Sequence, residues 1–195
     1  MTPMRTERLI LRNWEDRDRA LFHRINSDDA VMKFFGFRRT RAGADAFMDR
    51  MSHDISSRGF GFCAAEIAAT GETIGFVGLN PAALEGILPE YAIEIGWRLA
   101  PEYWGNGYAT EAARHWLGFA FRTLGLDDVY SFAVRDNVRS IAVMERIGLV
   151  RDPDGDFDHP RVAEPSLKPH VLYRLSRADW RNRPDAKTPP QKGGA

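Results

Sequence analysis

Residues Glu94 to Glu111 read EIGWRLAPEYWGNGYATE, and the fold turns on how this stretch changes character along its length. Its first part alternates as a strand, with Glu94, Gly96 and Arg98 on one face and Ile95, Trp97 and Leu99 on the other. Pro101 ends the alternation, and Trp104-Gly105-Asn106-Gly107-Tyr108-Ala109 is a glycine-marked turn that opens a helix. From Ala109 the apolar residues Ala112, Ala113, Trp116, Leu117, Ala120, Phe121 and Leu124 recur with the 3.6-residue period, and Gly125 supplies the stop. Such a turn leaves backbone N–H groups without intrahelical partners beside the positive end of the helix dipole, which makes an anion site. Gly105 and Gly107 suit it, because no Cβ blocks close approach to the main chain and φ can be positive there.

Two nucleotide-binding patterns fail on this turn. A P-loop needs Lys followed by Ser or Thr after its last glycine, where this chain has Tyr108-Ala109; the dinucleotide fingerprint needs Gly or Ala where it has Thr110. Gly107 and Ala109 instead meet the last two fixed positions of a third pattern: Gln or Arg, two residues, Gly, one residue, then Gly or Ala. On these residues the stretch resembles the acetyl-CoA pyrophosphate loop of the GNAT superfamily of N-acetyltransferases. Trp104 stands where that pattern has Gln or Arg. The longer run PEYWGNGYATEA resembles the branch of ribosomal-protein N-terminal acetyltransferases. The resemblance reaches to about Leu175 and includes two further motifs, the strand carrying Glu94 and Asn137-x-x-Ser140 at the start of a helix.

Length and composition agree with one globular domain. The 195 residues carry 44% hydrophobic and 28% charged side chains, and 27 basic residues balance 27 acidic ones. Zero net charge argues against a dedicated nucleic-acid or anionic-membrane surface. No window approaches the ~18 uncharged apolar residues of a membrane span, and the N-terminal MTPMRTERLILR reaches charge too soon for a secretory signal. The single cysteine, Cys63, leaves no internal disulfide and lies in the apolar run FGFCAA, which suits a reducing cytoplasm and a buried, unreactive thiol. One domain is expected over residues 1–182, as a monomer or homodimer, with a disordered tail over 183–195 whose PDAKTPPQKGGA lacks any apolar residue larger than alanine.

Along the chain, a first strand is expected near Arg8 to Trp14, a helix capped by Asp16 or Asp18, and a second helix from Ala42 to Ser56. Met32-Lys33-Phe34-Phe35-Gly36-Phe37 between them reads as a core lid or as a wall of an acceptor pocket. Two strands flank the turn at Gly71, and a strand from Tyr91 to Leu99 follows an unassigned loop, Asn80 to Pro89. After the long helix come a strand at Val129 to Val134, a helix from Asn137 to Gly148, and strands at Leu149-Val150 and His170 to Leu175. Asp152 to Pro169, with four prolines, reads as a long loop. The resemblance implies the GNAT fold for this order, an α+β domain whose central mixed, mostly antiparallel sheet of about seven strands is flanked by about four helices.

Acetyl transfer from a thioester to an amine needs a neutral amine, donors for the carbonyl oxygen and a proton for the leaving thiolate. An α-amine with pKa ~8 is roughly a tenth neutral at pH 7, and a lysine with pKa ~10.4 far less. Glu94, mid-strand, is the expected base, directly or through water; a structural partner for Arg98 is the alternative. The resemblance implies cofactor contacts from the main chain of Trp97, Arg98 and Leu99, from Trp104 to Thr110 (with Gly105, Asn106, Gly107, Tyr108 and Ala109), and from Asn137. It places Ser140 where related enzymes protonate the thiolate, while helix initiation, for which Asn and Ser are favoured, is the alternative for both Asn137 and Ser140. His159 and His170 lack a third residue at metal-ligand spacing, so no metal is expected. The expected function is an acetyl-CoA-dependent transfer to a primary amine, a protein N-terminus or a small amine, through a direct ternary complex. The rivals are a silent acyl-CoA-binding module and a detoxifying acetyltransferase.

Overall fold

The computed structural model describes residues 1–183, so the expected tail lies outside the described residues except for Arg183. The strands are β1 (Met4–Arg5), β2 (Leu9–Arg12), β3 (Phe62–Ile67), β4 (Thr73–Pro81), β5 (Ile93–Leu99), β6 (Asp128–Val134), β7 (Val150–Asp158) and β8 (Pro169–Ser176). The helices are α1 (Arg19–Ser27), α2 (Arg41–Arg58), α3 (Tyr108–Arg122), α4 (Val138–Arg146) and α5 (Arg177–Arg181). The eight strands lie in the order β1-β2-β3-β4-β5-β6-β8-β7. Pairing is antiparallel from β1 to β4 and across β6, β8 and β7, and parallel between β5 and β6. An α+β fold was expected, with one strand and one helix fewer. Strand β1 is only two residues long, and α5 is a single turn capped by Ser176, whose side chain accepts from Asp179 N–H. Neither has enough length for a periodic signal.

The described residues divide into two compact units, Met1–Gly78 with Gly96–Ala113, and Leu79–Ile95 with residues 114–183. In the first, Trp14 meets Phe22 edge-on with ring centroids 4.8 Å apart, among buried Leu9, Leu11, Ile25 and Met48. Its buried charge, Arg12, is neutralised on two sides: Nη1 donates to Asp18 at 2.7 Å and Nε to Glu66 at 2.8 Å. Asp18 stands at the N-cap of α1, as considered above, and its carboxylate serves both the short 3-10 turn before the helix, where it accepts from Glu15 N–H at 2.8 Å, and the buried ion pair with Arg12.

In the second unit the segment after β4 is a packed element of the core. Ala82, Leu84, Leu88 and Ala92 bury against Leu172, with Tyr130, Phe132 and Phe157 beside them. Two boundaries differ from the sequence reading. Tyr91 lies before β5 and is 85% exposed, because Ala92 N–H turns back to Pro89 O and the strand starts only at Ile93. Much of the expected Asp152 to Pro169 loop is strand: Phe157 pairs with His170 and Asp158 with Pro169, after an irregularity between Asp152 and Phe157. As the last strand in the order, β7 tolerates Pro153, which has no N–H to give to a ladder, and the irregularity absorbs Gly155.

Candidate active site

The glycine turn has the geometry of an anion cradle. Gly105 and Gly107 have φ of 80° and 79°, a region that other residues enter only with strain. The first bond of the α3 ladder runs from Glu111 N–H to Gly107 O at 3.0 Å, so the N–H groups of Tyr108, Ala109 and Thr110 precede it and stay available. A Cβ built on Gly105 would meet nothing within 4 Å, and one on Gly107 only Arg8 at 3.5 Å. Among the described residues, only the Arg8 side chain comes near the space over these glycines. Trp104, in the position where the resembled pattern has Gln or Arg, donates from its indole Nε1 to Leu99 O at 2.8 Å and ties the turn to the end of β5.

Sequence reasoning missed the residues that brace this turn. Arg8 donates from Nη1 to Asn106 O at 3.0 Å and from Nε to Glu111 at 2.6 Å, and its guanidinium lies 4.7 Å from the centre of the Tyr108 ring. Thr6 adds a 2.5 Å hydroxyl bond to Glu111. Glu111, on the polar side of the α3 stripe, is therefore an anchor, and its charge is met by Arg8. Nothing local to Arg8 signals this, since its partners come from the far side of the sequence. The residues present fit a pyrophosphate: exposed main-chain donors, a helix N-terminus, and a carboxylate already neutralised.

Glu94 sits in β5 opposite Tyr130 of β6. Burial pushes its carboxyl up to about 8 from the usual 4.5, although the Asn80 side-chain amide donates to it and the Arg161 charge also pulls it down. A carboxyl poised near neutrality is what a general base needs. The neighbouring Ser131 hydroxyl, buried, donates to Ile95 O at 2.9 Å. Asn137 and Ser140 are in contact as a helix start: the Asn137 side chain accepts from Ser140 N–H at 3.3 Å and caps α4.

The remaining candidates sort by environment. Burial pushes the Cys63 thiol up to about 12, which leaves no thiolate for an acyl-enzyme. His159 and His170 stand 4.9 Å apart beside Phe132 and Phe157, and burial, then His170 and Arg161, depress His159 to about 4. Among the described residues no group of three or more His, Cys, Asp or Glu could hold a metal ion, and no helix is long and apolar enough to cross a membrane.

A mixed sheet with a parallel pairing at the strand that carries Glu94, followed by a glycine turn into α3, defines an acyl-CoA N-acyltransferase type of fold. Residues 8–150 match the acetyltransferase (GNAT) domain family, and the chain belongs to it. An uncharacterised Bacillus subtilis protein, YkkB, is 32% identical over 76% of this chain and 85% of its own. The FsC-acetyl coenzyme A-N(2)-transacetylase of Aspergillus fumigatus is 30% identical over 91% and 77%. The crystal structure of an acetyltransferase from Agrobacterium tumefaciens superposes with a TM-score of 0.71 at 30% identity, covering 90% of this chain and 94% of that one.

Proposed function

We propose that this acetyltransferase moves the acetyl group of acetyl-CoA to a primary amine, with Glu94 as the base. The observation that carries the reading is the Glu94 carboxyl held near neutrality on β5, the strand that leads into the glycine turn. Acetyl-CoA as donor is supported by the fit of the Gly105 to Thr110 main chain to a pyrophosphate and by the printed name of the Aspergillus relative. Bound there, it would supply an activated thioester acetyl. Glu94 takes a proton from the amine nitrogen, directly or across one water, and main-chain donors of Trp97, Arg98 and Leu99 orient the carbonyl. Asn137 would hold the cofactor arm, and the Ser140 hydroxyl would protonate the leaving sulfur and regain its proton from solvent, to which Glu94 releases the one it took from the amine. Attack is direct, because Cys63 is unsuited to carry an acyl group.

Thiol release from acetyl-CoA, screened over peptides with free N-termini, amino acids and polyamines, tests the proposal. CoA release that depends on an added amine and falls in Glu94→Gln is the expected result. Tight acetyl-CoA binding without turnover on any amine would instead make the protein an acyl-CoA-binding module.

A further inference from the structure

The segment between α1 and α2 and the end of β5 bring together an uncompensated set of cations. Arg98 Nη1 donates to Asn26 Oδ1 at 2.5 Å, and its guanidinium lies 4.3 Å from the Phe35 ring centre and 5.3 Å from that of Phe76. Its Nε is shielded from solvent and has no hydrogen-bond partner. Arg39 repeats the pattern: it stacks on Phe47 at 4.3 Å and Phe37 at 5.0 Å, and its Nε is likewise shielded and unpaired. Among the described residues neither has a carboxylate partner. The carboxylates of the same region are committed elsewhere, Asp29 to Arg38, Asp45 to Arg41, Asp49 to Arg19 and Glu102 to Arg24.

A shielded guanidinium without a counter-charge is unfavourable, and aromatic faces return only part of what hydration supplied. Desolvation, then the Arg39 charge, pulls Arg98 down to about 9, the direction of a cation that lacks an anion. Phe35 and Phe37 are 38% and 47% exposed, so the aromatic wall of the cluster faces solvent. Arginine presents a planar fork of donors that matches a carboxylate or phosphate.

We propose that Arg98, backed by Arg39 and walled by Phe35 and Phe37, receives an anionic oxygen group of the acceptor, so that the preferred substrate is an amine that also carries a carboxylate or phosphate. The proposal rests on the acetyl-transfer reading above. A polyamine would place positive charge against positive charge and is disfavoured by the same cluster. Arg98 is then a specificity residue, distinct in role from Glu94.

The test compares, by CoA release, ω-amino acids of graded length with their amides, O-phosphoethanolamine with ethanolamine, and spermidine. The wild type is expected to favour an anionic member over its neutral counterpart by about tenfold or more in kcat/KM, the scale of one charge-assisted hydrogen bond. The carboxylate and phosphate arms identify which anion is preferred. Arg98→Gln should raise KM for the anionic acceptor and erase the preference, and Arg39→Gln, outside the cofactor contacts, should weaken the preference with KM for acetyl-CoA changed by less than about twofold. Should Arg98→Gln fail to fold, Arg39→Gln together with the wild-type comparison decides. Equal use of acid and amide, preference for spermidine, or an equal loss on both acceptor types would overturn the inference while leaving acetyl transfer intact. No CoA release with any amine would overturn both.

Discussion

Arg8 and Glu111 stand 103 positions apart, and their side chains meet at 2.6 Å across the base of the glycine turn. The same guanidinium reaches Asn106 O, so one residue just before β2 braces both the turn and the first turn of α3. Arg8→Gln keeps length but loses charge, and it should raise the KM for acetyl-CoA by about three- to tenfold with a smaller effect on kcat. Steady-state kinetics check this. An unchanged KM would reduce Arg8 to a surface residue.

Gly107→Val puts a branched side chain at φ 79° in the space over the turn. Acetyl-CoA binding should weaken by about tenfold or more, ~1.4 kcal/mol. Calorimetric titration of the folded variant with CoA measures it, and undiminished affinity would remove the turn from the cofactor site.

Glu94 gives a pH dependence with a definite sign. A base must be deprotonated, so kcat/KM should rise with pH up to about 8 and level off above it. Stability runs the other way. The folded state keeps the Glu94 proton that the unfolded chain releases near 4.5, so this group's contribution declines as pH rises from about 4.5 to about 8. Glu94→Gln should lower kcat by ~10²–10⁴, leave CoA affinity nearly unchanged and flatten both profiles. Arg161→Ala removes a positive charge that lowers the carboxyl's pKa and should move the acid limb to higher pH. Normal turnover by Glu94→Gln would make Glu94 structural.

The buried Arg12 cluster predicts acid sensitivity. Burial alone would push Asp18 up, but hydrogen bonds from Arg12, Thr73 and the Glu15 main chain outweigh it and hold the carboxyl below its usual 3.8. The stabilisation is present above pH 3.8 and is lost as pH falls through the depressed value. Asp18→Ala strands one face of the Arg12 guanidinium and should cost about 3–5 kcal/mol in chemical denaturation at pH 7. A loss below about 1 kcal/mol would show that Glu66 alone neutralises Arg12.

Much of this protein is legible wherever the relevant neighbours are close in sequence. The α3 stripe from Ala112 to Phe121 is buried as its period requires, and Gly105 and Gly107 take the positive φ that the turn needs. Glu94 falls within β5 because alternation through Ile93, Ile95 and Leu99 is a local signal. At Asn137 and Ser140 the local signal is that of a helix start, and the structure has the Asn137 side chain accepting from Ser140 N–H as the cap of α4.

Tertiary structure alone decided which charges meet. Arg8 reads as a strand flank, Asp18 as a helix cap and Arg98 as a possible partner for Glu94; packing makes the first a brace for the turn, adds a buried ion pair to the second, and sets the third on Asn26 and Phe35 with no carboxylate partner among the described residues. Strand β7 was likewise hidden, because Pro153 and Gly155 break alternation and only an edge position excuses them. The division has one physical cause. Periodicity and backbone preference act over a few residues, so Glu94 to Glu111 fixes its own local form, while the neutralisation of a charge depends on which distant side chains the fold carries to within about 3–4 Å of it.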